Sequence, residues 1–194
     1  MPQIARDTLL TLEAYARTRK DFRERVLAHK KPRTVHLGEH VTLLFEDELT
    51  IRYQIQEMLR VERTFEDPGI QDELDVYNPL IPDGTNWKAT ILIEYEDIAE
   101  RRTALAALKG IEMRVWVQVD GYARVHAIAD EDLERENDEK TSSVHFARFE
   151  LTRDMIVALK SGAVLAMGVD HPAYAFTLAP VPEPVRQALL ADLA

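Results

Sequence analysis

The chain has 194 residues, 46% of them hydrophobic and 30% charged, with a formal net charge of -10 and no cysteine. Such a composition belongs to an ordinary globular protein, long enough to bury a core without disulfides or a structural metal. It excludes thiolate zinc sites, cysteine nucleophiles and cysteine-ligated iron–sulfur clusters, and its acidity disfavours general nucleic-acid binding.

Residues 7–17 read as a helix capped by Asp7 or Thr8. Residues 21–30 read as a second, with Asp21 and Glu24 at capping-box spacing. The tract from Arg17 to Arg33 is strongly basic, and residues 1–33 predict a basic helical extension packed on a single domain spanning 1–194. Arg6, Asp7 and Glu13 interrupt the N-terminal apolar run, so no signal peptide is expected. No apolar run is long enough to span a bilayer. A cytoplasmic protein without a membrane partner is the expectation.

Residues 34–46 predict a hairpin turning at Gly38-Glu39. Asp47 then caps a central amphipathic helix running to Arg63, with Glu48 where the helix dipole favours an anion. Ile51, Ile55, Met58 and Leu59 form its apolar stripe, with Glu62 at the end. Arg52, Gln56, Arg60 and Arg63 form a polar one, and Glu57 is spaced to pair with Arg60. Pro68-Gly69 breaks the helix, and 70–77 suit a short helix. Asn78 to Asn86 is an ordered loop with two prolines and a glycine. It leads into a strand in which Trp87, Ala89, Ile91, Ile93 and Tyr95 share a face.

Residues 97–109 predict a helix stopped by Gly110, and 113–119 and 122–128 predict two strands across Asp120-Gly121. The acidic tract 130–140 lacks the central glycine and terminal glutamate of a calcium loop. It reads as a solvated segment able to pair with the basic tract, within the chain or across a homodimer. A strand over 144–151, a helix capped by Thr152, strands at 163–169 and 173–179 turning at Asp170-His171-Pro172, and a last helix opened by Pro182 and Pro184 complete the chain. The repeated hairpins predict an α+β fold, an antiparallel sheet packed against helices with the 47–63 helix central.

No nucleophile elbow, phosphate-cradling glycine loop or close-spaced metal motif occurs. Three readings follow. The first is a non-enzymatic accessory or binding protein with a protein partner, supported by the absence of a catalytic motif and by the opposed charged tracts. The second is a metal-dependent enzyme or sensor. In it His126, His145 and His171, with Glu57 or Glu62, would hold iron, zinc or manganese. The third is a small-ligand module whose pocket lies between the central helix and the Asn78–Asn86 loop. There Tyr53, Gln56, Glu57 and Arg60 would face Asn78, Asp83, Thr85 and Asn86. The plain alternative is that these residues pack a helix and satisfy a tight turn.

The runs LLFEDELTIRYQIQEMLRVER, YNPLIPDGTNWKATILIEY, AIADEDLERENDEKTSSVHFARFEL and MGVDHPAY together resemble one bacterial family, known only as domain of unknown function 3501. The resemblance covers nearly the whole chain. It implies a single domain of this size, with no assigned activity and no catalytic residues to carry over. It further implies an accessory role beside rubrerythrin-like and iron–sulfur redox proteins, whose genes neighbour those of the family.

Overall fold

The structure is a computed structural model and describes residues 3–131, 135, 137 and 139–194. Residues 12–30 form one helix where two were expected: α1 (Leu12–Lys30). Thr11 caps it by accepting the Ala14 N–H, and residues 6–8 make only a 3-10 turn. The intervening Thr18-Arg19-Lys20 carries neither proline nor glycine, so nothing interrupts the ladder. The hairpin follows as β1 (Thr34–His36) and β2 (Val41–Glu46).

The central helix is α2 (Glu48–Glu62). Asp47 Oδ1 accepts the Thr50 N–H at 2.9 Å, and Thr50 Oγ1 accepts the Asp47 N–H at 2.9 Å. Both free amides at the helix start are thereby satisfied. Ile51, Ile55 and Leu59 are buried as the spacing predicts, whereas Glu62 is exposed. The helix ends at Arg63, in the left-handed region at φ 55°, ahead of the proline. Pro68 instead opens α3 (Asp67–Tyr77), where its missing N–H costs no hydrogen bond.

The rest of the chain runs β3 (Asn86–Ile93), α4 (Ile98–Ala107), β4 (Val115–Val119), β5 (Val125–His126), β6 (Ile128–Ala129), β7 (Val144–Glu150), α5 (Arg153–Lys160), β8 (Leu165–His171), β9 (Tyr174–Leu178) and α6 (Glu183–Leu190). The turn expected at Asp170-His171-Pro172 lies at Pro172-Ala173. Asp170 and His171 belong to β8, with His171 paired to Tyr174. A residue before proline is held extended, so His171 stays in the strand.

The fold is α+β, with every strand pair antiparallel. One sheet has the order β1-β2-β3-β7-β6 and the other β5-β4-β8-β9. Residues 125–129 serve both: β5 pairs with β4, β6 pairs with β7, and between them the Ala127 N–H donates to the Val115 carbonyl at 2.8 Å. The inner faces meet in one core, where Phe45, Trp87, Ile91 and Phe149 pack with Val115, Val117, Met167 and Val169. Leu105, Leu159 and Leu189 extend it into α4, α5 and α6. Trp87 Nε1 donates to the Leu189 carbonyl at 2.9 Å, fixing α6 against β3. A second core of Ile4, Ile51, Ile55, Leu59, Leu74 and Ile81 joins the N-terminal segment, α2 and α3. No helix among the described residues is long and apolar enough to cross a membrane.

This arrangement leaves β3 third of five strands, bonded on both sides. Its inward residues are apolar, and its outward ones are Asn86, Lys88, Thr90 and Leu92. The outer face of this sheet carries the site described next.

Candidate functional site

The polar face of α2 is covered by α1. Glu57 accepts from Tyr15 Oη at 2.7 Å, from Arg19 Nε and Nη2 at 2.7 and 2.8 Å, and from Arg60 Nη2 at 3.2 Å. The Arg19 hydrogen bonds above all, then those of Tyr15 and Arg60, hold its carboxyl at about 2 against the opposing effect of burial. Burial and the Glu57 carboxylate push the Tyr15 phenol up. Gln56 is buried and clamps Leu10, accepting its N–H at 2.8 Å and donating to its carbonyl at 3.3 Å. Tyr53 meets Phe22 edge to face, with ring centroids 6.0 Å apart. Tyr53 and Glu57 thus tie α2 to α1, Gln56 ties it to the segment before α1, and Arg60 pairs with Glu57 within α2.

The loop residues bind elsewhere. Asn78 pins the N-terminal segment, accepting the Ile4 N–H at 2.8 Å and donating to the Ile4 carbonyl at 3.2 Å. Asp83 accepts the Thr85 N–H at 3.0 Å and the Thr85 hydroxyl at 2.8 Å, and these bonds hold its carboxyl below the usual range against burial. Asn86 Nδ2 donates to Glu150 at 3.3 Å. The structure does not place the α2 set opposite the loop set. It does bring Asn78, Asp83 and Asn86 together along one depression.

That depression, about 740 Å³, runs between the N-terminal segment, α3 and the outer ends of β3 and β7. A second, about 660 Å³, continues past α3 over β6 and β7. Lys88, Arg148, Asp75 and Pro79 line both. Each volume suits a small organic ligand. The second half has an apolar wall, to which Val76, Leu80, Ile128 and Phe146 contribute. Val76 is 57% and Ile128 38% exposed, high for aliphatic side chains.

Lys88 lies at the junction, half-buried, and makes no ion pair or side-chain hydrogen bond among the described residues. The neighbouring anions are engaged. Glu46, its partner on β2, accepts the Thr50 hydroxyl at 2.5 Å and the Thr90 hydroxyl at 2.6 Å. Glu131 holds Arg148 through two bonds at 2.8 and 2.9 Å, and Glu150 takes a third at 2.6 Å. Arg148 faces Lys88 directly across the strands, an unfavourable like-charge pairing. Burial, then this guanidinium, lowers the Lys88 amine below the ordinary lysine range. A desolvated lysine in a cleft is a recurrent functional group. Its position on the chain does not reveal it, because a lysine at an outward position of an alternating strand looks solvated.

The three histidines do not meet. His126 is exposed, with Nε2 3.2 Å from Asp170 Oδ2. His145 is fully buried, with Nδ1 2.6 Å from Asp130 Oδ2 and Nε2 3.0 Å from Thr141 Oγ1. His171 Nδ1 accepts the Ala173 N–H at 3.1 Å, so Nε2 carries the proton donated to the Lys109 carbonyl at 3.0 Å. Among the described residues no group of three or more His, Cys, Asp or Glu side chains is placed to hold a metal ion. Each of the three rings turns instead to its own hydrogen-bond partners. Glu57 is taken up by α1, and Glu62 is exposed on α2. Within the acidic tract, Asp132, Leu133, Glu134, Glu136 and Asp138 lie outside the described residues.

A model of the family described as "Protein of unknown function (DUF3501)" matches residues 3–193. No curated protein matches the chain. A crystal structure from Burkholderia pseudomallei K96243, described as a novel protein of unknown function, is 56% identical in sequence. The match covers 100% of both chains with a TM-score of 0.94.

Proposed function

The chain belongs to the DUF3501 family of proteins of unknown function, and we propose that it is a small-molecule-binding protein whose site is the groove around Lys88. The single observation that carries this reading is the half-buried Lys88 amine, without an ion-pair partner among the described residues, at the meeting point of two depressions. A half-buried amine left without a hydrogen-bond partner is costly whether charged or neutral, because its N–H groups have lost water. An oxygen-bearing head group would supply that partner. The apolar wall leading away from it suits a hydrocarbon or aromatic body. The ligand class is therefore a short amphipathic molecule, its carboxylate or carbonyl head at Lys88. This keeps the expectation of a binding protein and gives it a location. An accessory role toward a redox partner rests on the family resemblance alone.

Calorimetric titration with octanoate, on the wild type and on Lys88→Met, tests the reading. A charge-assisted contact contributes about 1.5–3 kcal/mol, so the variant should bind roughly 10- to 100-fold more weakly. Equal affinity in both proteins, or no binding to the wild type, refutes the site.

A further inference from the structure

We propose that Lys88 is a nucleophilic amine that forms an imine with the carbonyl carbon of an apolar aldehyde or ketone seated in this groove. The inference rests on the reading of the groove as a ligand site and adds to it a reaction and a substrate class.

Three observations carry it. First, the surrounding anions are taken: Glu46 by two threonine hydroxyls, Glu131 and Glu150 by Arg148, and Asp83 by Thr85. Among the described residues no carboxylate lies within ion-pair distance to hold Lys88 as an ammonium. Second, the amine stands on β3, whose backbone is bonded to β2 and β7 along its length. The root of its side chain is therefore fixed beside the groove, within one lysine's length of a ligand seated there. Third, the wall of Val76, Leu80, Ile128 and Phe146 would hold a hydrocarbon tail and thin the water around the carbonyl. Burial, then Arg148, shift Lys88 toward the neutral amine, the form that attacks, against the weaker opposing pull of Glu131, Asp83 and Glu150.

In the step itself, the Nζ lone pair bonds to the carbonyl carbon and the carbonyl π pair moves to oxygen. One N–H proton then leaves the nitrogen to solvent and solvent returns one to the oxygen, giving a carbinolamine with one N–H and one hydroxyl. Solvent protonates that hydroxyl, which leaves as water while the nitrogen lone pair closes the C=N bond. Loss of the remaining N–H proton to solvent gives the neutral imine. One amine and one carbonyl give one imine and one water, with no change in oxidation state.

The test is reductive trapping. Full-length protein is incubated with octanal and cyanoborohydride at neutral pH, and adducts are located by peptide mass spectrometry. The expected result is an octyl group on Lys88, formed several-fold faster than on any of the other six lysines. Lys88→Arg should lose that adduct and no other, and its circular dichroism spectrum should match the wild type's. Octanoate titration runs alongside. If octanoate binds but Lys88 is labelled no faster than surface lysines, the imine inference fails and the binding reading stands. If octanoate does not bind and no selective adduct forms, both fail.

Discussion

Replacing Glu57 by Gln tests whether the polar face of α2 is a structural lock. Glu57 accepts four hydrogen bonds from three side chains, and its own side chain is 17% exposed. Its carboxyl falls from 4.5 to about 2 on folding. At about 1.4 kcal/mol per pH unit this corresponds to about 3 kcal/mol at neutral pH. Arg19 is the more exposed partner, and solvent screens it. The expected loss in the variant is therefore about 2 kcal/mol. Because the folded value lies below the unfolded one, the stabilisation is complete above the unfolded value and fades as pH falls toward the folded one. Urea unfolding of wild type and Glu57→Gln should thus differ by about 2 kcal/mol at pH 7, and the curves should converge between roughly pH 5 and pH 2. A difference that stays constant over that range would refute the electrostatic account. So would the absence of any difference at pH 7.

Gly168→Ala should cost about 1–3 kcal/mol, because a Cβ there would overlap the Phe176 carbonyl oxygen and the Trp116 ring; thermal unfolding measures it. Asp47→Ala should destabilise more than Asp47→Asn by about 1 kcal/mol, since asparagine caps as well as aspartate. Both variants lose the charge facing His29 and the buried Arg33. Trp87→Phe removes the buried bond to Leu189 and should cost about 1–3 kcal/mol in urea unfolding.

The sequence carried the architecture where local chemistry decided it. Asp47 is a cap by residue type and position, and Trp87, Ala89, Ile91 and Ile93 face inward because alternation leaves them no other face. The errors came where two local signals competed. Asp21 and Glu24 mimic a capping box, yet no breaker precedes them, and α1 runs through. The site residues Asn78, Asp83 and Asn86 were readable as an ordered loop. What faces them was not. Lys88 owes its character to absences: Glu46 turned to Thr50 and Thr90, and Glu131, 43 positions further along the chain, bound to Arg148. No window on the sequence reports that a distant carboxylate is already engaged.

Residues 125–129 also bear on how the molecule comes apart. A strand that supplies rungs to both ladders couples their opening: releasing Ala127 from Val115 loosens the anchorage of β6 on β7 as well. The two sheets then lack separate melting units, and subglobal opening is confined to the helical layer of α1–α3, which has its own core. In native-state hydrogen exchange the innermost amides of β3, β4, β7 and β8 should share a single protection free energy, while those of α1–α3 exchange through a lower-energy opening. Any substance that clamps α3 onto β7 would raise the second value toward the first, so ligand discovery has a readout that needs no knowledge of the ligand.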